Sequence, residues 1–275
     1  MKRRNPINKN SIPFLLLALI HLLLLFPLMK RKRGKETWIL LLSNMGFAYL
    51  FEYFVLNILG AYTYKPRIFK KRAIDNMFGT FFSQGLFIPL AATFISVFQK
   101  DWKWKVLVSF FYYFIEKLFL RLKVYKENWW RPIFTFIFIN GYFFLSDGFL
   151  TRLKTRKSWV LKVACFFSVE VFHIILMFQL AVRKKIRFGL GRFHPLKEHF
   201  LISPLYSLGL TFISVFAAKS GKVLWLLRLL IPTAIDIVLI KIKILKIKRK
   251  DYRELFLVHS LIEALSRYFH FLIHK

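Results

Sequence analysis

The chain has 275 residues, 57% of them hydrophobic, whereas soluble domains are about 45–50% apolar. Its 45 Lys and Arg residues against 13 Asp and Glu give a formal net charge of +32, a balance that in a soluble protein suggests nucleic acid as the partner. Here the basic residues lie between long apolar runs, which is typical of anchoring at anionic phospholipids. Composition therefore predicts a protein of the lipid bilayer and argues against nucleic-acid binding.

The first predicted element is a membrane span at residues 12–29. Lys2, Arg3 and Arg4 precede it, as they would in a secretory signal peptide. However, the run ends in a basic cluster at 30–33, and no small-residue cleavage site precedes that cluster. The pattern therefore predicts a retained first span, or signal anchor.

Seven further apolar runs follow, each close to the roughly 20 residues that a helix needs to cross a bilayer. They lie at residues 37–60, 76–98, 105–122, 132–150, 158–182, 200–218 and 223–245. Pro89 and Pro232 are interior to two of these runs and predict kinks. The sequence thus predicts an all-α, polytopic helical membrane protein with eight spans.

Lys and Arg are divided unevenly between the two sides of this arrangement. The N-terminus, the even-numbered connections and the C-terminal tail carry 29 of them, the odd-numbered connections carry 15, and Arg228 lies within a span. Because cytoplasmic connections are enriched in Lys and Arg, both the N-terminus and the C-terminus are predicted to be cytoplasmic.

Residues 251–275 predict a C-terminal amphipathic helix. Its apolar residues recur at helical spacing, and they are Leu255, Val258, Ile262, Leu265, Phe269 and Leu272. Glu263 and Arg267 form an i,i+4 pair on the opposite face, which favours a helix lying at the membrane interface. A ninth span is the alternative.

An internal repeat is indicated by a shared hexapeptide. Residues 93–98 and 211–216 both read Thr-Phe-Ile-Ser-Val-Phe, at an offset of 118 residues. The same offset relates Glu52 to Glu170, and an offset of 120 relates Glu116 to Asp236. Alternating apolar runs and basic loops alone would not place acids at matching depths in two pairs of spans.

The repeat predicts the domain organisation. Residues 1–126 form the first four-span repeat, residues 127–250 form the second, and 251–275 follow as the C-terminal helix. Because four is an even number of spans, the two copies run parallel, related by an axis along the membrane normal.

Residues 37–150 also resemble a known family. The resemblance is carried by Leu50-Phe51-Glu52, Gly60, Tyr64, Pro66, the aromatic run that ends in Pro89, Ile115-Glu116-Lys117 and Trp129-Trp130. These residues look like those of an uncharacterised family of small multi-spanning membrane proteins of spore-forming Firmicutes. The resemblance implies a helical fold in a bacterial cell membrane and implies no activity. Family members look like a single unit of about five spans, whereas this chain carries a second unit without the Tyr, Pro and Trp-pair motifs.

Acidic residues within the predicted spans are the candidate intramembrane polar site. They are Glu52, Glu116, Asp147, Glu170 and Asp236. A charged carboxylate at the bilayer centre costs at least about 2.5–3.5 kcal/mol, so each must be neutral, paired or beside water. The four repeat-related acids are the first candidates, and structural hydrogen bonding between helices is the alternative reading.

His173 adds a second titratable group to this site. It follows Glu170 at i,i+3 and so shares its helix face, which predicts pairing with Glu170 or proton relay. The first repeat has Val55 at the matching position, so a metal site is not expected. Arg228 precedes Asp236 by eight residues and either shares its face or extends outward.

Two function classes fit these features. One is a structural or accessory membrane protein whose basic cytoplasmic face binds anionic phospholipid or an acidic protein partner. The other is a small transporter that uses the repeated acids. An enzyme is less well supported because no nucleophile, base and metal converge in the sequence. No cofactor is expected.

Overall fold

The computed structural model describes residues 8–30, 34–216 and 222–275, with side chains described from residue 228 onward in the last range. Helix dominates this described part of the chain, and its strands are only three residues long. The all-α class predicted from the sequence is therefore confirmed. The chain divides into two compact units, unit 1 at Met1–Thr155 and unit 2 at Arg156–Lys275.

Unit 1 is a helical bundle with one pair of short strands. Its elements are α1 (Ser11–Lys30), α2 (Gly34–Glu52), β1 (Tyr62–Tyr64), α3 (Arg72–Phe82), α4 (Ile88–Val97), α5 (Trp102–Arg121), β2 (Tyr125–Glu127) and α6 (Pro132–Lys154). Helix α2 packs against α4 and α6, α5 packs against α6, and α1 packs against α4. Strand β1 pairs antiparallel with β2, with Tyr62 opposite Glu127 and Tyr64 opposite Tyr125. This pairing holds the connections that follow α2 and α5 at one end of the unit.

Two π-helical segments interrupt the helices of unit 1. Tyr53–Ile58 continues α2, and Ser83–Phe87 joins α3 to α4. The second segment ends just before Pro89, whose ring has no N–H and would clash with the carbonyl one turn earlier in a regular helix. Widening the preceding turn relieves that conflict. The kink predicted at Pro89 is therefore realised as a π segment.

Unit 2 is a second helical bundle with its own pair of strands. Its elements are α7 (Ser158–Val182), β3 (Ile186–Phe188), α8 (Leu196–Phe216), α9 (Lys222–Lys241), β4 (Leu245–Ile247) and α10 (Tyr252–His274). Helix α7 packs against α8 and α10, and α9 packs against α8 and α10. Strand β3 pairs antiparallel with β4, with Ile186 opposite Ile247 and Phe188 opposite Leu245.

The same backbone conformation precedes each of the four strands. A residue with positive φ lies two positions before the strand: Gly60 at 59°, Lys123 at 59°, Lys184 at 59° and Lys243 at 60°. A left-handed residue closes the end of a helix and turns the chain away from its axis. Three of these positions carry lysine, which tolerates this conformation less well than glycine does.

The two units share one order of elements: helix, strand, helix, helix, strand, helix. In unit 1 this order begins at α2, with α1 in addition and with α3 and α4 joined as one interrupted helix. The repeated hexapeptide lies at the end of α4 in one unit and of α8 in the other. The boundary between the two compact units lies at 155 and 156, because α6 packs with α2, α4 and α5. The repeat boundary at 126 and 127 stays a prediction.

Six helical segments of the described residues are long and apolar enough to cross a membrane. They are Ser11–Lys30, Gly34–Ile58, Arg72–Val97, Pro132–Lys154, Ser158–Val182 and Leu196–Phe216. The predicted spans 105–122 and 223–245 correspond to α5 and α9, which are helices but lie outside this set. Helix α5 carries five charged residues, which lower its mean hydropathy, whereas the side chains of α9 are described only from residue 228 onward.

The C-terminal helix α10 is packed into unit 2. It buries the predicted apolar stripe at Leu255 and Ile262, and it also buries Glu263, which is 3% exposed. The expectation that Glu263 faces water is therefore wrong, whereas Arg267 is largely exposed. The outer face of α10 is apolar instead, with Phe256, Leu257, Leu261, Tyr268 and Phe271 exposed.

Candidate functional site

The four repeat-related acids lie two in each unit. Glu52 ends α2 and Glu116 lies in α5, whereas Glu170 lies in α7 and Asp236 in α9. All four are buried, with exposed fractions of 2%, 8%, 1% and 5% in that order. Each unit therefore holds two of the four acids, buried among its own helices.

Glu52 sits where α2 passes into its π segment. Its Oε2 accepts hydrogen bonds from the Tyr62 hydroxyl at 2.5 Å and from the Gln84 side-chain amide at 2.9 Å. Tyr62 comes from β1 and Gln84 from the second π segment, so both irregular segments orient this carboxyl group. Oε1 of Glu52 is buried and has no hydrogen-bond partner among the described residues.

Glu116 lies beside the hydroxyl groups of Tyr125 on β2 and Thr135 on α6. Its Oε1 is buried and unpartnered among the residues that the structure describes. A buried acceptor without a partner costs about 1–3 kcal/mol. Oε1 of Glu116 is therefore the oxygen of this carboxyl group that lacks a hydrogen-bond donor among the described residues.

A cavity of about 660 Å³ lies within unit 1 and has Glu116 in its wall. Most of its lining is apolar or aromatic, contributed by α2, the π segments, α5 and α6. The polar part of the wall comes from Glu116, Thr135 and Gln84 together with tyrosines of the strand pair. Glu52 lies one hydrogen bond behind this wall, through Tyr62 and Gln84.

Four aromatic rings line the polar end of this cavity: Tyr62, Tyr64, Tyr125 and Trp130. Tyr62 and Tyr64 point to the same face of β1, since strand side chains alternate. Ring centroids are 5.2 Å apart for Tyr62 and Tyr125, and 5.5 Å apart for Tyr62 and Trp130. Burial, and then the Glu52 carboxylate, raise the pKa of Tyr62 well above its ordinary value, so this hydroxyl stays protonated and can donate.

The cavity reaches the outer surface of the bundle between the π segment Tyr53–Ile58 and α6. Phe54, Ile137 and Leu145 all line it and are also 51%, 54% and 46% exposed. Gly141 of α6 lines it too, and a Cβ atom added there would meet nothing within 4 Å. Apolar rims of this kind face hydrocarbon when the helices span a bilayer.

The site in unit 2 is built differently, from side chains that hydrogen-bond one another. Ser207 Oγ donates to Glu170 Oε1 at 2.6 Å, and His173 Nδ1 lies 3.0 Å from Thr211 Oγ1. Glu170 and His173 thus have their partners on α8. The predicted pairing of Glu170 with His173 is not among the hydrogen bonds of the described residues.

Asp236 has two partners that sequence reasoning missed. The Tyr206 hydroxyl donates to its Oδ1 at 2.5 Å, and His259 Nε2 lies 2.7 Å from its Oδ2. Tyr206 comes from α8 and His259 from α10, so Asp236 ties three helices together. The signal for His259 was its position next to Val258 on the buried stripe of α10.

Each unit also joins its last two helices by an ion pair. Arg228 of α9 binds Glu263 of α10 at 2.9 Å, and both side chains are 3% exposed. Ser214 donates to the same carboxylate at 2.8 Å. Arg228 therefore pairs across helices instead of extending outward, and like Asp236 it faces α10. In unit 1, Lys105 of α5 pairs with Asp147 of α6.

In the described residues, no group of three or more His, Cys, Asp or Glu side chains is placed to hold a metal ion. Comparison of the chain with protein-family models, with curated proteins and with solved structures found no match. The function must therefore be argued from the two sites themselves.

Proposed function

We propose that the protein is a multi-pass bacterial membrane protein with an accessory role, and that unit 1 binds a lipid-like molecule drawn from the bilayer. The six apolar helices support the membrane setting. The resemblance of residues 37–150 to a membrane family of spore-forming Firmicutes supports a bacterial cell membrane. The cavity in unit 1 carries the proposal for binding.

We further propose nine spans, with α5, α9 and α10 added to the six apolar segments. Their buried charged residues have partners inside the bundle, as Arg228 has in Glu263. Large apolar residues are exposed on them, for example Phe114 on α5 and Phe271 on α10, beside exposed basic residues such as Lys117 and Arg267. Intramembrane ionisable residues behave in this way, facing the bundle interior and pairing there. Mean hydropathy is then a poor guide to α5 and α10.

A count of nine spans changes the predicted side of the membrane for the C-terminus. The N-terminus and the strand-bearing connections stay cytoplasmic, consistent with their Lys and Arg content. The C-terminus then lies outside, whereas eight spans with an interfacial α10 would keep it cytoplasmic. A reporter fused after Lys275 distinguishes the two arrangements, and a fusion at Lys157 should report the outside face in both.

The shared order of elements supports duplication of an ancestral unit. The hexapeptide offset, the positive-φ residue before every strand and the ion pair between the last two helices all recur. We propose that the repeats are α2–α6 and α7–α10, with α1 as an addition to the first. Each has four spans, so the copies are parallel.

Binding of a lipid-like molecule follows from the size and lining of the unit 1 cavity. Its volume of about 660 Å³ lies within the roughly 300–1,000 Å³ of ligand pockets, which combine apolar walls with a few polar groups. The rim at Phe54 and Ile137 would allow entry from the hydrocarbon. The basic connections would meanwhile bind anionic phospholipid headgroups, at about 1 kcal/mol per Lys or Arg near the surface.

Filling the cavity tests this function. Gly141→Leu adds a side chain into open space in the cavity, and Gly209→Leu makes the same change on α8, where a Cβ atom also meets nothing within 4 Å. We expect native mass spectrometry to show a bound lipid-like molecule on the parent and on Gly209→Leu, and much less on Gly141→Leu. Equal occupancy on all three proteins would remove the proposal.

Transport is the second candidate, favoured by buried carboxylate oxygens that lack partners among the described residues. These are Oε1 of Glu52 in unit 1 and Oε2 of Glu170 in unit 2. Proton flux in reconstituted vesicles should fall in Glu52→Gln or Glu170→Gln if the acids carry protons. Negligible flux in the parent as well would leave only the accessory role.

A further inference from the structure

We infer that the ligand of the unit 1 cavity is a long-chain amphiphile with an ammonium head, bound at Glu116. This inference rests on the proposed function, because it names the chemical class of the molecule that the cavity holds. Three observations carry it: the charge of the lining, the unpartnered oxygen of Glu116 and the cluster of aromatic rings at the polar end.

The charge of the cavity wall has one sign. Glu116 lines the cavity, Glu52 lies directly behind it, and neither Lys, Arg nor His is found among the described lining residues. An anionic head, such as a fatty-acid carboxylate, would lie beside acids with no cation to pair with. A cationic head would pair with Glu116, and a buried charge needs such a partner.

The carboxyl group of Glu116 is placed to accept from a ligand. It is 8% exposed, and its Oε1 has no partner among the described residues, while Tyr125 and Thr135 lie beside the group. An ammonium group brings three donors and no acceptor. It can therefore satisfy the free oxygen of Glu116 and also reach the hydroxyl oxygens of Tyr125 and Thr135.

The aromatic rings supply the second element of ammonium recognition. Tyr62, Tyr64 and Tyr125 contact one another with centroid separations of 5.2–5.5 Å, and Trp130 lies 5.5 Å from Tyr62. Cations are attracted to aromatic ring faces, and clusters of such rings bind ammonium groups. An acid next to several aromatic rings therefore favours an ammonium head over a hydroxyl head.

The rest of the cavity accommodates the chain of the ligand. From the polar end the lining continues through Phe51, Phe138 and Leu145, which are apolar, to the exposed rim. A single hydrocarbon chain could then extend from Glu116 towards the lipid while its head stays inside. Head and chain are thus recognised by different parts of one cavity.

A series of twelve-carbon ligands with different heads tests the inference. Binding of dodecylamine, dodecyltrimethylammonium, dodecanol and dodecanoate is measured on protein in lipid nanodiscs, with empty nanodiscs subtracted. We expect dodecylamine to bind at least about tenfold more tightly than dodecanoate, with dodecanol between them. Dodecyltrimethylammonium, which has the charge but no N–H donor, should bind more tightly than dodecanoate and less tightly than dodecylamine. Equal or tighter binding of dodecanoate would overturn the inference, and tightest binding of dodecanol would replace the ammonium head by a hydroxyl.

Variants distinguish recognition of the head group from binding of the hydrocarbon chain in the cavity. Glu116→Gln should weaken dodecylamine binding at least about tenfold and dodecanol binding much less. Asp236→Asn, the matched change in unit 2, should leave both unchanged. If Glu116→Gln does not fold, Tyr64→Leu serves instead and should weaken the amine about threefold to tenfold through loss of a ring face. Unchanged amine binding in the folded variant would overturn the inference.

The two proposals fail in different ways. If Gly141→Leu blocks every ligand of the series but the heads are not distinguished, the cavity binds lipid and the ammonium inference is wrong. If Gly141→Leu blocks none of them, the ligands bind elsewhere and the proposed function is wrong.

Discussion

Unit 1 and unit 2 use one order of elements to enclose different interiors. In unit 1 the first strand places Tyr62 and Tyr64 in the wall of the cavity. In unit 2 the corresponding strand positions carry Ile186 and Phe188, which are 1% and 0% exposed. Corresponding strand positions therefore carry cavity-lining tyrosines in one copy and buried apolar side chains in the other.

The helices of the two units also differ, in their regularity and in the side chains that join them. Among the described residues, π segments occur in unit 1 and both contribute to the cavity wall, through Phe54 and Gln84. Such segments are frequent at functional sites. The helices of unit 2 are instead joined by Asp236, His259 and Tyr206 in one hydrogen-bonded cluster. We therefore assign ligand binding to unit 1 and cohesion to unit 2.

The largest predicted loss of stability comes from breaking the ion pair of unit 2. Arg228→Leu leaves Glu263 buried beside Ser214, and among the described residues the exposed Arg267 at 3.6 Å is its remaining cation. Removing one partner of a buried pair typically costs about 3–5 kcal/mol. We expect a large fall in thermal stability in detergent, and substantial recovery in the double variant Arg228→Leu/Glu263→Leu.

The ion pair of unit 1 provides the comparison. Lys105→Leu should cost less than Arg228→Leu, because the Asp147 side chain is 31% exposed and keeps access to polar surroundings, whereas Glu263 is 3% exposed. An equal or larger loss in Lys105→Leu would contradict the assignment of cohesion to unit 2.

The next effect concerns the two tyrosine–carboxylate hydrogen bonds, each 2.5 Å long. Tyr206→Phe removes the donor to Oδ1 of Asp236, so that oxygen loses its hydroxyl partner, at a cost of about 1–3 kcal/mol. Tyr62→Phe leaves Oε2 of Glu52 with Gln84, so we expect a loss nearer to about 1 kcal/mol. Chemical or thermal unfolding measures the loss of stability in each variant, and we expect the larger loss in Tyr206→Phe. A larger loss in Tyr62→Phe would show that the cavity wall is the more tightly bonded site.

The smallest effect concerns ion pairs at the strand-bearing end. Lys185 contacts Asp251 and Glu254 at 2.8 Å each, whereas in unit 1 Arg131 lies 4.0 Å from Glu127 and is 70% exposed. Asp251→Asn should lower the melting temperature modestly, by an amount that shrinks at about 1 M salt. Arg131→Gln should leave the melting temperature unchanged within error.

The pH dependence of that pair follows from its pKa shift. Hydrogen bonds from Lys185 to Asp251 and then Glu254 raise the pKa of Lys185. A raised lysine pKa contributes stability that is fully present below the ordinary lysine value and is lost as pH rises through the raised value. The Asp251→Asn effect should therefore be the same at about pH 7 and about pH 9. A loss of the effect by about pH 9 would show that Lys185 is not the partner.

Much of the helical framework could be predicted because apolar runs and offsets are properties of the chain itself. The acids at residues 52 and 170 were recognised from their apolar surroundings. The boundary between the units was not, since it depends on which helices α6 packs against. The same is true of the Tyr62, Tyr64 and Tyr125 cluster, which exists only through the pairing of β1 with β2.

Photo-crosslinking tests the central claim most directly. A twelve-carbon amine with a diazirine in its chain is activated on the protein in membrane vesicles, and the labelled residues are mapped by mass spectrometry. Binding in unit 1 predicts labels on cavity residues such as Phe51, Phe138 and Leu145, which are competed by dodecylamine and lost in Gly141→Leu but kept in Gly209→Leu. Labels spread over outer residues such as Phe114 and Phe271, equal in all three proteins, would contradict the account.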